Sequence, residues 1–376
     1  MKRAIVIVMD GCGAGEAPDA AAFGDLDHPA TIRHVWDVAG HLNAPNLARL
    51  GFFRACGVED SFANGAAEWG RLRELSMGKD SVTGHWEMMG VVTETPFPTY
   101  PNGFPADLVE AFEARIQHKV LGNKPASGTA IIAELGSEHV ASGNPILYTS
   151  ADSVWQLACH IAVVAEEKLY EWCRVARELC VKPNDVQRVI ARPFDGDEQT
   201  GFHRTEGRKD FPLEAPANLV DRIGDVFGIG VIPELFGSRG FRPVRRTQSN
   251  AEHAKMLDEA LESDARFIFA NFEDFDMLYG HRNDPVGFAH ALEAFDVTLG
   301  QLLKKLKPDD LLILTADHGN DPTSKSTDHS REYVPFVVYG DEVPEGPKGD
   351  IEGMTAIGAT VARHLGVSWP IGQSLT

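Results

Sequence analysis

Acidic residues and histidines gather where short apolar runs of the chain end. The run 4–9 leads into Asp10, and the run Phe267–Phe272 leads into Glu273-Asp274-Phe275-Asp276, with His281 five residues beyond Asp276. The run 311–315 leads into Asp317-His318, and Asp328-His329 follows. Taken singly, an Asp that closes a strand is usually a turn former or a helix cap, and a lone His is usually structural. The joint pattern reads differently, because in open α/β sheets the carboxyl ends of the strands form the ligand crevice, where residues distant in sequence converge. A mixture of carboxylates and imidazoles suits Mn, Zn or Fe better than Ca, which prefers all-oxygen cages. The set is larger than a single ion needs. Two divalent ions a few Å apart would serve phosphoryl chemistry, one activating a nucleophile and both neutralising charge on the transferred group.

A second cluster is Gly78-Lys79-Asp80-Ser81-Val82-Thr83-Gly84-His85-Trp86-Glu87, a loop leading into a helix. Ser81 or Thr83 alone would serve as an ordinary helix cap. Flanking glycines and the charged Lys79, Asp80, His85 and Glu87 favour a site instead. A hydroxyl coordinated to a metal loses much of its proton affinity and becomes a nucleophile without a dedicated base.

The elements that must position these groups read as a doubly wound α/β fold. Four nearly unbroken apolar runs, 4–9, Phe267–Phe272, 311–315 and Val334–Tyr339, have the pattern of parallel strands buried on both faces. A helix is expected over 285–306, where Asp284 can cap, Pro285 suits the first turn, and Phe288, Leu292, Phe295, Leu299, Leu302 and Leu306 step by threes and fours. Another, about 252–261, precedes the Phe267 strand. The middle of the chain is richer in turns, with strand patterns at Ile146–Thr149 and 186–191. It is expected to be an inserted second domain over 96–211, leaving 1–95 and 212–376 as the core.

Composition narrows the function classes. The 376 residues carry 55 acids against 35 bases, a formal charge of −20, which disfavours a nucleic-acid footprint. Five cysteines, none spaced Cys-x-x-Cys, indicate neither a disulfide framework nor a zinc ribbon. No apolar run approaches the ~20 residues of a membrane span, and the short run after Met1-Lys2-Arg3 lacks a cleavage site. A cytoplasmic protein with a small-molecule partner, no nucleic acid and no membrane is expected; the oligomeric state stays open.

With these motifs assembled, the sequence resembles the phosphopentomutases of the alkaline phosphatase superfamily over nearly its whole length. The most specific stretches are residues 78–87 above, Gly122-Asn123-Lys124-Pro125-Ala126-Ser127-Gly128-Thr129, Tyr148-Thr149-Ser150-Ala151-Asp152-Ser153, Thr315-Ala316-Asp317-His318-Gly319-Asn320-Asp321-Pro322 and Thr327-Asp328-His329-Ser330-Arg331-Glu332. The resemblance implies an alkaline-phosphatase-like core with an inserted α+β cap matching 96–211. It implies one metal held by Asp276, His281 and His329, and another by Asp10, Asp317 and His318 with the Ser81 oxygen. Asp274 and Asp328 become candidates for orienting a ligating His. Implied too are interconversion of (deoxy)ribose 1-phosphate and 5-phosphate through phospho-Ser81 and a pentose 1,5-bisphosphate, two divalent ions (Mn2+ expected), and priming by a sugar bisphosphate. Arg192, Arg204 and Arg208 would hold the non-reacting phosphate, with Asp152 accepting from a sugar hydroxyl and Lys124 and Ser127 as further contacts. Three positions depart from the family pattern: Ser81 stands where Thr is usual, Gly11 where Ser is common, and Val231 where a lysine is expected. Arg239, Arg242, Arg245 and Arg246 are candidates to replace that lysine. Two other readings compete, a related mutase or phosphatase acting on a different sugar phosphate, and a catalytically silent sugar-phosphate binding protein.

Overall fold

The structure is a computed structural model in which residues 2–59, 66–150 and 152–376 are described. The chain divides into two compact units, Met1–Pro96 with Ala215–Thr376, and Phe97–Glu214. The first unit opens with strands β1 (Arg3–Met9) and β2 (Glu68–Arg73). The second unit then carries β3 (Leu121–Pro125), β4 (Ile146–Thr149), β5 (Val154–His160), β6 (Arg188–Asp197), β7 (Gly201–Arg204) and β8 (Lys209–Pro212). Back in the first unit come β9 (Phe227–Ile229), β10 (Phe267–Phe272), β11 (Asp310–Thr315), β12 (Val334–Tyr339) and β13 (Gly346–Glu352).

In the first unit seven strands form one sheet in the order β13-β2-β12-β11-β1-β10-β9. Parallel pairing of β1 with both β10 and β11 sets Met9 beside Phe272 and Val8 beside Thr315, so three strands end side by side. Both faces are covered. Phe269 and Phe272 are three residues apart on β10 and therefore point to opposite faces. His85, from the helix Ser81–Met88, lies against Phe269, whereas Phe295, from the helix Pro285–Lys305, lies edge-on to Phe272. The long helix starts as expected, with the Asp284 carboxylate accepting from the Gly287 N–H. The doubly wound pattern of the sequence is thus the one observed, with one correction. β12 is antiparallel to both β11 and β2, not parallel; burial on both faces produces the same apolar run whichever way a strand points.

The second unit has its own six-stranded mixed sheet, β3-β4-β5-β6-β7, with β8 also pairing β6. On one face Leu147, Trp155, Leu157 and Val189 pack among residues of the helices Ala106–Ile116 and Glu166–Leu179. On the other, Ile131 and Ile132 of the helix Gly128–Ser142 cover Ile146, Tyr148, Ala158 and Phe194. The strand expected at 186–191 begins at Arg188 and runs on through Pro193 to Asp197. β7 and β8 divide its outer edge between them, which is how a proline is tolerated there. No helix among the described residues is long and apolar enough to cross a membrane.

Candidate active site

The side-by-side ends of β11, β1 and β10 bring the expected acids and histidines of the first unit together. Asp10 follows β1 directly. Asp317 and His318 come just after β11, and Asp276 sits in a wide π-helical turn, Phe275–Tyr279, that follows β10. Such turns re-aim a side chain that a regular helix would point elsewhere. His318 Nε2 is 3.4 Å from Asp10 Oδ1 and 3.3 Å from Asp317 Oδ2. His329 Nε2 is 3.6 Å from Asp276 Oδ1, and His281 Nε2 is 3.1 Å from Asp276 Oδ2. The His318 and His281 rings stand 4.1 and 4.7 Å from that of His329. Two groups have donor atoms close enough to share an ion: Asp10, Asp317 and His318, and Asp276, His318 and His329. His281 lies beside the second group through Asp276, and His318 belongs to both.

The electrostatics of the donor set suit divalent cations. Asp10 Oδ1 and Asp317 Oδ2 are buried with no hydrogen-bond donor, an expensive condition for a carboxylate oxygen. Burial, together with the charges of Asp317 and Asp276, pushes the Asp10 carboxyl well above its ordinary pKa. Burial also acts against ionised Asp276, yet His329, His281 and His318 outweigh it and hold that carboxyl low. Burial likewise opposes ionised Asp317, and His318 and His85 reverse the effect. Against its own burial, His329 is raised to about 9 by Asp276. Asp276 and Asp317 lean on neighbouring imidazoles whereas Asp10 has none that offsets its burial, and the carboxylates and imidazoles together form a donor set that fits divalent ions.

Ser81 is the first residue of its helix. Asp80 is the cap, accepting from the N–H groups of Val82 and Thr83, while Thr83 Oγ1 turns back to the Asp80 backbone. Neither Ser81 nor Thr83 is therefore the cap itself. The cap frees Ser81 Oγ, which lies 3.1 Å from His318 Nε2. Thr83 is buried, its hydroxyl held by the Asp80 carbonyl.

Several supporting groups surround the centre, of which the sequence reading had singled out His85 but given it no role. Asn271 Nδ2 donates to Asp10 Oδ2 at 2.6 Å, and Asn320 Nδ2 to Asp276 Oδ1 at 2.7 Å. The buried His85 ring places Nδ1 2.7 Å from the Ser81 carbonyl and 3.3 Å from Asp317 Oδ2. Thr327 O and Gly319 O accept from Nδ1 of His281 and His318, which turns each Nε2 toward the cluster. Asn271 did leave a signal, as a lone amide in an otherwise apolar strand. The carbonyls left none. Asp274 and Asp328 do not take the orienting role expected of them. Asp274 accepts from the Asn250 N–H, and the exposed Asp328 accepts from the His329 backbone N–H while standing 3.4 Å from Lys79 Nζ.

Two departures from the family pattern have structural consequences. Gly11 has φ +71°, and a Cβ there would stand 3.1 Å from Asp276 Oδ1, so glycine keeps that carboxylate uncrowded. Val231 donates its N–H to Glu273, whose carboxyl burial pushes up to about 7. The four arginines considered as substitutes for the missing lysine are all paired: Arg239 with Asp221, Arg242 with Asp225 and Asp264, Arg245 with Glu259, and Arg246 with Glu234.

Within the second unit, strand register sets Tyr148, Arg192 and Arg204 on the same sheet face. Tyr148 faces Gln156, Ala158 faces Arg192, and Phe194 faces Arg204, all at even spacing. A Cβ on Gly128, which opens the helix over this face, would collide with both the Arg204 guanidinium and the Tyr148 hydroxyl. Burial and the neighbouring charge of Arg208 lower the Arg192 pKa, and Arg192 Nε donates to Gln156. Arg208 forks onto Asp210, Lys124 pairs with Glu134, Ser127 caps the helix by accepting from the Ala130 N–H, and Asp152 is exposed.

The sequence profile of the Metalloenzyme superfamily matches residues 2–369. A phosphopentomutase of Herpetosiphon aurantiacus is 45% identical over 99% of this chain and 97% of its own length. The chain belongs to the phosphopentomutase family. Phosphopentomutases of Symbiobacterium thermophilum and Dictyoglomus thermophilum are 46% and 47% identical, each over 98% of this chain and 95% of theirs. Phosphopentomutases are isomerases of the phosphomutase type, and the enzyme class expected from the sequence stands. Among solved structures, the PH0037 protein from Pyrococcus horikoshii aligns over 99% of both chains with a TM-score of 0.52 at 15% identity, which supports the fold alone. The expected doubly wound core sheet with an inserted α+β unit is the architecture this family member has.

Proposed function

We propose that the protein interconverts (deoxy)ribose 1-phosphate and (deoxy)ribose 5-phosphate through a phosphorylated Ser81 and a pentose 1,5-bisphosphate. The observation that carries this is the half-buried Ser81 hydroxyl, at the first position of a capped helix and 3.1 Å from His318, beside two groups of residues able to hold divalent ions. Asp276, His281 and His329 would hold one ion, and Asp10, Asp317 and His318 the other; bound there, Mn2+ lowers the proton affinity of the serine hydroxyl and neutralises charge on the transferred group. In the first half-reaction phospho-Ser81 yields its phosphoryl group to the free hydroxyl of the sugar monophosphate. In the second the Ser81 oxygen recovers the other phosphoryl group from the bisphosphate. The helix N-terminus behind Ser81 favours the negative phosphoserine. Resting enzyme is primed by a sugar bisphosphate.

Arg192, Arg204 and Arg208 are proposed to bind the non-reacting phosphate, the first two backed by the register that gathers them beside Tyr148, with Asp152 accepting from a sugar hydroxyl. Five buried free cysteines fit a reducing, cytoplasmic setting. The test is the ratio of phosphoryl transfer to phosphate release with ribose 1-phosphate. Ribose 5-phosphate is expected as the dominant product; predominant inorganic phosphate would assign the related phosphatase reading instead.

A further inference from the structure

The stretch Asp328-His329-Ser330-Arg331-Glu332 contains a buried cation that the chemistry above does not use. Arg331 is 2% exposed, with its guanidinium 4.5 Å above the Phe23 ring. Nε and Nη2 fork onto the two oxygens of Asp19, at 3.2 and 3.0 Å. Nη1 reaches Glu74 Oε2 at 2.7 Å. The remaining bonds go to three carbonyls of one segment, Glu74 O at 2.7 Å, Ser76 O at 2.9 Å and Gly78 O at 2.6 Å. That segment leaves β2 and ends, three residues after Gly78, at Ser81. Glu87, from the same helix as Ser81, holds it from the other side by accepting from the N–H groups of Leu75 and Ser76.

Arg331 is equally well tied to the loop that bears His329. Its backbone N–H donates to Asp25 Oδ2 at 2.7 Å, and Asp25 Oδ1 accepts from Lys79 Nζ at 2.9 Å. Ser330, between it and His329, exchanges both backbone hydrogen bonds with Gly319, next to His318. One buried guanidinium therefore joins the strand exit that presents Ser81 to the loop that presents His329. A planar fork with five donors suits this task and an ammonium does not. Because the three carbonyls belong to one segment, satisfying the buried donors of Arg331 also fixes the path of that segment toward Ser81.

We propose that Arg331 is a positioning residue that sets the Ser81 loop against the His329 loop and so fixes the nucleophile relative to the metal ligands. This rests on the function proposed above. The experiment compares wild-type and Arg331→Lys proteins by calorimetric Mn2+ titration, steady-state kinetics with ribose 1-phosphate, and thermal unfolding. In folded Arg331→Lys protein, Mn2+ binding is expected to weaken and kcat to fall by about 10- to 100-fold each, the cost usual for groups that orient metal ligands, with KM within about twofold. Mn2+ affinity and kcat both at wild-type values, with only the unfolding temperature lowered, would overturn the proposal. Should that variant not fold, Glu74→Gln removes one anchor of the same guanidinium. It is expected to lower kcat several-fold at unchanged KM, and unchanged kcat there would count equally against the proposal. Wild-type protein that binds Mn2+ but shows no mutase turnover would refute the function and leave the Mn2+ comparison to decide on Arg331.

Discussion

A serine hydroxyl in water is a poor nucleophile, and the role proposed for Ser81 depends on neighbours that change that. The Asp80 cap spares the serine from capping duty, and His85 bonds to its carbonyl. Ser81→Ala is expected to abolish transfer, lowering kcat by about three orders of magnitude or more while the protein still binds Mn2+; the transfer assay with a parallel metal titration checks this. Ser81→Thr restores the branched side chain usual in the family and keeps turnover, since the hydroxyl is retained. Asp276→Ala and His318→Ala should each cost about a hundredfold or more in kcat, whereas Arg204→Ala should chiefly raise KM, by about tenfold or more. The acids and imidazoles were legible in sequence because they recur together at the ends of three apolar runs, although each alone has an ordinary structural explanation. The groups that hold them were harder to see: any residue supplies a carbonyl, and Asn320 only acquires meaning once Asp276 is known to lie 2.7 Å away.

Between elements, position comes from register, which is why three strand ends suffice to build a centre from residues more than 250 positions apart. Long apolar runs and the Asp284-Pro285 helix start were legible because burial on both faces and capping leave local patterns. β2 and β13 were not. β13 is a largely exposed edge strand containing proline and glycines, and β2 buries only alternate residues. The same local blindness hid the direction of β12 and the pairing of the four arginines after Val231. Beside β10, His253 is fully buried on its helix, with Nδ1 2.7 Å from Thr247 Oγ1 and Nε2 without a donor or acceptor. Burial lowers its pKa to about 4. An unfolded chain takes up that proton near pH 6.5, so the folded state loses stability as pH falls from about 6.5 to 4, by at most about 3 kcal/mol. Urea unfolding across this window is expected to show a shallower pH slope in His253→Gln than in wild type; identical slopes would remove His253 as the cause.

Across the whole molecule, the formal charge of −20 is at odds with a phosphorylated substrate only if charge is spread evenly. Asp10, Asp276 and Asp317 are buried in one cluster, and two divalent ions there would bring the total to about −16. The anion is then drawn to a local focus rather than by the overall field. Because the ions bind only the folded state, free Mn2+ at about 100 times its dissociation constant should stabilise the first unit by about 2.7 kcal/mol per site. Chelation should lower the unfolding temperature by several degrees and abolish turnover, and Mn2+ should restore both better than Ca2+; calorimetry in chelator and in Mn2+ checks this. The central claim is that Ser81 carries the phosphoryl group between sugars. Incubating Mn2+-loaded protein with ribose 1,5-bisphosphate and mapping the modified residue by mass spectrometry, while assaying ribose 5-phosphate formation, tests it most directly. The account predicts one phosphate, on Ser81, in protein that is active without further priming; a phosphate on Thr83, or full turnover by protein that never becomes phosphorylated, would contradict it.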